Sequence, residues 1–220
     1  MGTCTVWWAA PVAPGGAPAL VGLLDAHERE RLGRFRREVD AARFLAAHAL
    51  VRIALAGLLD LAPAALVFDR TCRCGQPHGK PRLTAGGPAF SLTHAGDLVG
   101  VAVHDAPVGL DVEQARPLTD LAAMAAHACA PGETAPDEAA FFRLWTRKEA
   151  LLKASGDGLS APMSGITLDT HGVVDWAGGP GPVWLRELSP APEHPAAVAG
   201  LGTEAPPVVE ADGDALLRAR

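Results

Sequence analysis

Three β-prone runs fall within 25 residues: AFSLTH (89–94), LVGVAVH (98–104) and VGLDVE (108–113). Only Gly96-Asp97 and Asp105–Pro107 separate them as turns. Connections this short read as a meander of neighbouring strands, because a parallel crossover needs a dozen or more residues. Around this block the chain alternates. TCTVWWA (3–9) reads as a strand, followed by a Pro/Gly-rich loop to about Ala19. Asp25 with Glu28 three residues on marks a helix start, with Leu32, Phe35 and Val39 continuing at helical spacing. A second start at Asp40 opens a longer apolar helix through Phe44, Leu45, Val51, Leu55 and Leu58, closed by Pro63. LVFDR (66–70) reads as a strand, 71–88 as loop, 118–128 as helix and 137–154 as a second amphipathic helix. GITLD, PVWLREL and AAVAGLG follow as strands, with a C-terminal tail expected to be partly disordered. The order strand, helices, strands, then strand, helix, strands implies two similar α/β halves, 1–105 and 106–220, rather than one continuous sheet.

With 220 residues, 49% of them hydrophobic and 20% charged, the chain can bury a full core. A net charge of −6 disfavours bulk nucleic-acid binding. The charge is uneven, however. Arg29, Arg31, Arg34, Arg36, Arg37, Arg43 and Arg52 form a basic stretch better suited to a small anion than to a long polyanion. The first residues lack a basic n-region, and Pro11, Pro14 and Pro18 break their apolar run, so neither a signal peptide nor a membrane helix is expected there. Four cysteines in a chain of this size do not make a disulfide framework, and a reducing cytoplasm is the expected compartment. Cys72-Arg-Cys74 with His78 offers three potential zinc ligands. The C-x-C spacing and the lack of a second pair favour a plain thiol loop.

Four constellations could carry chemistry. On a strand Asp111 and Glu113 share a face, and paired carboxylates repel unless a proton or a hard cation such as Mg²⁺ intervenes. By spacing alone, a solvated strand end is the simpler reading. In FFRLWTRKEALLKASGDGL (141–159), Phe141, Leu144, Trp145, Leu151 and Leu152 form an apolar stripe. Glu149 and Lys153, one turn apart at its edge, are either a surface ion pair or a metal ligand beside a phosphate clamp. His94 ends a strand before a glycine turn, where it either caps the turn or meets a ligand. Lys80, held between Gly79 and Pro81, could face an anion. Only three lysines occur, Lys80, Lys148 and Lys153, against sixteen arginines. Lys148 points away from Glu149 and has no assigned role. There is no Walker loop, G-x-S-x-G or dinucleotide fingerprint.

The ordered succession GKP, FSLTHAG, VGLDVE and FFRLWTRKEALLKASGDGL resembles the Sfp-type 4′-phosphopantetheinyl transferases, over about residues 25 to 170. The resemblance implies an α+β fold, a monomeric pseudo-dimer of two similar α/β half-domains with the active site at their interface. It implies Mg²⁺-dependent transfer of the phosphopantetheine arm of coenzyme A to a serine of an apo acyl or peptidyl carrier protein, releasing adenosine 3′,5′-bisphosphate. Such carriers serve polyketide, nonribosomal peptide or fatty acid synthesis.

Position by position, it casts Asp111, Glu113 and Glu149 as metal carboxylates, with Glu149 also the base for the carrier serine. Lys153 and His94 would contact the pyrophosphate, with Thr93 nearby. Lys80 would hold phosphate or the adenine side, and Arg31 and Arg43 the 3′-phosphate. Thr93-His94-Ala95 stands where the family often has Ser-His-Ser. Glu133 matches a family glutamate in the loop that engages the carrier, and Ala128-Cys129-Ala130 replaces the aromatic pair usual before it. A coenzyme A or carrier-binding module without turnover, and another Mg²⁺-dependent phosphoryl-group enzyme, are the alternatives.

Overall fold

The computed structural model describes residues 2–72, 75–76, 79–158 and 161–219. Cys74 and His78, two of the three candidate zinc ligands, lie outside the described residues. The chain is a mixed α+β protein with two principal sheets.

The first sheet has the order β11-β1-β5-β4, from Val208–Asp212, Cys4–Ala9, Leu98–His104 and Ala89–Ala95. β1 runs parallel to β11 and antiparallel to β5, and β4 and β5 form an antiparallel hairpin. Helix α3 (Glu38–Leu59) packs across β4 and β5. It is long and apolar enough to span a bilayer by length and composition, but 72% of its most apolar stretch is buried inside the protein. Its residues Phe44, Leu45, Leu50 and Leu55 anchor the first core, so it is a core helix. Two shorter helices precede it, α1 (Pro18–Leu23) and α2 (Ala26–Leu32). Asp25 and Glu28 close a complete capping box on α2. That helix stops at Leu32, before Phe35 and Val39, because Gly33 and the following turn end it.

The second sheet has the order β6-β10-β9, from Val108–Val112, His194–Leu201 and Val183–Ala191, all antiparallel. Helix α5 (Glu138–Ser155) covers β6 and β10. Asp137 caps its N-terminus, and Gly156, at φ 79°, takes the left-handed turn that ends it. Helix α4 (Leu121–Ala128) precedes it, and two small ribbons complete the fold, β2 with β3 (Phe68–Asp69, Arg82–Leu83) and β7 with β8 (Ile166–Leu168, Val173–Trp176). Each principal sheet repeats one wiring of strand, helix and hairpin, with the last strand in the middle. In the first it is β1, α3, β4, β5; in the second it is β6, α5, β9, β10.

Three expectations need correction. The run 89–113 is not a meander. β4 and β5 pair, but β5 already has β1 on its other edge, so β6 leaves and founds the second sheet. The C-terminal tail is ordered. VVEAD forms β11 beside β1, and Asp212 caps a short helix α6 (Gly213–Arg218) by accepting from Ala215 N at 2.9 Å. The loop expected to run to Ala19 ends in α1, which Pro18 opens at a position where a missing N–H costs nothing.

Candidate active site

The site begins at the seam between the two sheets. β4 and β6 lie edge to edge, joined by hydroxyls instead of a backbone ladder. Ser91 Oγ accepts from Leu110 N at 3.0 Å, and Thr93 Oγ1 accepts from Val112 N at 3.1 Å. Thr93 also donates to Asp111 Oδ1 at 3.3 Å. On β6 the alternation turns Gly109, Asp111 and Glu113 to one face and Leu110 and Val112 to the other. Gly109 is needed there because α5 lies directly on it. A Cβ at this position would stand 2.0 Å from Ala150 O and 2.5 Å from Ala154 N. That close approach brings Glu149 and Lys153 of α5 against the carboxylates of β6.

Lys153 Nζ donates to Asp111 Oδ1 at 2.7 Å and to Leu110 O at 3.0 Å. Asp111 is buried, and its other oxygen, Oδ2, is also buried with no hydrogen-bond partner among the described residues. Burial pushes its pKa up, against the opposing pull of Lys153 and Thr93. Glu113 and Glu149 are raised as well, first by burial and then by the charge of Asp111. Three carboxylates that each disfavour ionisation, beside an orphaned oxygen, are a site short of positive charge. Among the described residues, no three His, Cys, Asp or Glu side chains form a ready-made metal cage.

His94 is exposed at the end of β4. The protein packed around its ring, then the charges of Lys153 and Arg43, hold its pKa below the usual histidine value. Arg43 comes from α3 to the same place, its Nε donating to Gly96 O at 2.6 Å while Nη1 pairs with Asp40 at 3.1 Å. Lys80 Nζ donates to Val108 O at 2.6 Å and Lys153 O at 2.9 Å, tying its loop to β6 and α5. Burial, and then the charge of Lys153, lower it to about 8. Asp111, Glu113, Glu149, Lys153, Thr93, His94, Arg43 and Lys80 are therefore linked by hydrogen bonds or by mutual electrostatic influence.

Arg31 stands apart, exposed above the Phe44 ring at 5.4 Å. It lines a cavity of about 310 Å³ with His27, Glu30, Arg34 and Phe35, and none of the three carboxylates lines it. The arginine-rich stretch is less of a face than its sequence suggests. Arg52 is fully buried, pairing with Glu28 and Asp25 at 2.7 Å each. His48 and Arg70 join the same network. Burial alone would raise the Glu28 pKa, but the hydrogen bond and charge of His48, then the hydrogen bonds from Arg52 and the Asp25 backbone, bring it down to about 2.

One residue without an expected role acquires one. Lys148 is fully buried, ion-paired with Glu133 and donating to Ala128 O at 2.7 Å. Glu133 in turn accepts from Leu168 N and Ala130 N, both at 2.6 Å. The pair fixes the loop between α4 and α5. Spacing carried the signal: Lys148 lies seven residues from Phe141 and four from Leu152, on the apolar stripe itself.

Comparison with known proteins identifies the family. A family model described as the 4′-phosphopantetheinyl transferase superfamily matches residues 107–190. The 4′-phosphopantetheinyl transferase HetI of a Nostoc species is 35% identical over 193 residues, covering 83% of this chain and 81% of the relative. The chain belongs to the 4′-phosphopantetheinyl transferase superfamily. A second member, a 4′-phosphopantetheinyl transferase of Bacillus subtilis, is 29% identical over 201 residues, covering 86% of this chain and 87% of its own length. Sfp, from Bacillus subtilis strain 168, is 28% identical over 160 residues, 69% of this chain and 68% of that transferase. The superfamily segment runs from the turn before β6 into β9. It contains Asp111, Glu113, Glu133, Lys148, Glu149 and Lys153.

Proposed function

We propose that this chain is the transferase its superfamily membership indicates. It moves the 4′-phosphopantetheine group of coenzyme A to a serine of an apo acyl or peptidyl carrier protein and releases adenosine 3′,5′-bisphosphate. The observation that carries the reading is the buried Asp111 Oδ2, without a hydrogen-bond partner among the described residues, at a seam where Glu113, Glu149 and Lys153 converge.

Asp111, Glu113 and Glu149 fit Mg²⁺, a hard cation that takes carboxylate oxygens and keeps several waters, so it needs no closed protein cage. Bound there with the coenzyme A pyrophosphate, Mg²⁺ supplies charge neutralisation for the departing phosphate. Glu149 takes the proton of the carrier serine, directly or through a water. The serine oxygen forms a bond to the phosphorus that bears the pantetheine arm. The bond from that phosphorus to the bridging oxygen breaks, and the electron pair leaves with adenosine 3′,5′-bisphosphate.

Lys153 and His94 orient the pyrophosphate, with Thr93 holding Asp111 in place. Lys153 and Lys80 each spend two of three ammonium hydrogens on protein oxygens, which leaves one each for phosphate. Arg43 and Arg31 receive the 3′-phosphate. The repeated strand–helix–hairpin wiring supports a monomeric pseudo-dimer of half-domains 1–105 and 106–220 with the site at their interface, residues 208–218 returning to the first sheet. The acidic net charge and the free thiols of Cys4 and Cys129 fit a cytoplasmic protein that binds neither nucleic acid nor membrane.

The test is chromatographic. Wild-type protein with coenzyme A, Mg²⁺ and a panel of unrelated apo carriers should release adenosine 3′,5′-bisphosphate with at least one of them. Tight coenzyme A binding with no release across the panel would replace the transferase reading by that of a binding module.

A further inference from the structure

The hairpin turn between β4 and β5 is gripped from both halves of the molecule. From the first half, Arg43 Nε donates to Gly96 O. From the second, His194 at the start of β10 lies against the same turn. A Cβ on Gly96 would stand 2.7 Å from Gln114 Oε1 and 2.8 Å from His194 Nε2, and Gly96 has φ +56°. His194 is 5% exposed, unusual for a side chain with two polar nitrogens at a strand end. Its Nδ1 is 2.8 Å from Pro192 O and its Nε2 is 3.2 Å from Asp97 Oδ1. Nδ1 thus has a hydrogen-bond partner, whereas the buried Nε2 lies beside the Asp97 carboxylate without a well-formed hydrogen bond among the described residues. Asp97 is 86% exposed and reaches the buried ring from the turn itself.

The position of this contact gives it consequence. The turn begins two residues after His94 and three after Thr93, and its carbonyl carries Arg43. Across the seam, Gln114 directly follows Glu113, whose backbone N donates to Pro195 O at 3.1 Å, next to His194. We propose that His194 and Asp97 form an inter-half latch. It is a positioning pair that holds the β4–β5 turn, and with it His94 and Arg43, at a fixed distance from the β6 carboxylates for coenzyme A binding. The pair touches no substrate. It acts by ordering the turn before the ligand arrives, so its loss falls on affinity for coenzyme A rather than on the bond-making step.

This inference rests on the transferase reading, and one experiment separates the two. Steady-state transfer is measured for wild type, Asp97→Asn and Asp97→Glu. Asp97 is exposed, so neither variant threatens the fold, and unchanged melting temperatures check this. Asp97→Asn should raise the KM for coenzyme A about fivefold, the upper scale of one partly exposed polar contact. The kcat and the KM for carrier should stay within about twofold, and Asp97→Glu should recover most of the loss. Equal KM values for coenzyme A in all three proteins overturn the latch and leave the transferase reading intact. A loss confined to kcat also overturns it. No transfer by wild type overturns both.

Discussion

Replacing Gly109 by alanine perturbs the seam at its tightest point. The added methyl would lie 2.0 Å from Ala150 O and 2.5 Å from Ala154 N, the two ends of one helical hydrogen bond in α5. Both atoms are backbone, so no rotamer change relieves the clash. Moving the closer contact out to 3.0 Å requires β6 and α5 to separate by about 1 Å. Asp111 sits two residues along on the same face, so its 2.7 Å bond to Lys153 Nζ would open to roughly 3.7 Å and be lost. Overpacking of this kind costs about 2 kcal/mol, which in a chain of this length lowers the melting temperature by roughly 4–8 °C. A 1 Å misplacement of catalytic groups costs about a hundredfold in rate. Calorimetry and steady-state transfer should therefore show both effects together. A Gly109→Ala protein with wild-type melting temperature and wild-type kcat/KM would refute the reasoning, because the β6–α5 contact would then not set the site.

Three further outcomes follow from the same geometry. Lys148→Met should destabilise by about 3–5 kcal/mol in urea unfolding, by leaving Glu133 buried and uncompensated. Adding Glu133→Gln should restore part of this, since the amide oxygen can still accept from Leu168 N. Stability should fall with acid between pH 4.5 and about 2. The folded-state pKa of Glu28 lies below its unfolded value, so its contribution is present above 4.5 and lost as pH drops; equilibrium unfolding against pH should show about 3 kcal/mol from this group. Mg²⁺ should raise the wild-type melting temperature through binding to the native state, and Asp111→Asn should abolish that rise while folding normally in chelator.

Much of this molecule was legible because local rules carried it. The Asp25–Glu28 helix start is chemistry within four residues and stands where the sequence put it, and the helix expected over 137–154 is found as Glu138–Ser155 between the Asp137 cap and Gly156. The carboxylates at Asp111 and Glu113 could be placed on one face by alternation alone. What local rules could not show is which strand edges were already taken. The desertion of β6 from the β4–β5 hairpin depends on β1 occupying the far edge of β5, nearly a hundred residues earlier in the chain. The same holds for β11, whose partner is β1. Buried charge was misjudged for a related reason. Arg52 looked like part of a basic face, but its neutralising partners Asp25 and Glu28 come from another helix. Lys148 was readable from its place on the apolar stripe, although only the fold supplies Glu133.

The central claim is that Asp111, Glu113, Glu149 and Lys153 form one site that transfers phosphopantetheine across the seam. Intact-mass spectrometry of an apo carrier protein tests it most directly, with coenzyme A, Mg²⁺ and either wild-type protein or Glu149→Gln. The account predicts that wild type adds the mass of one phosphopantetheine group to the carrier serine, and that Glu149→Gln, correctly folded, adds it at least a hundredfold more slowly. A carrier modified equally fast by both proteins would contradict the assignment of the site.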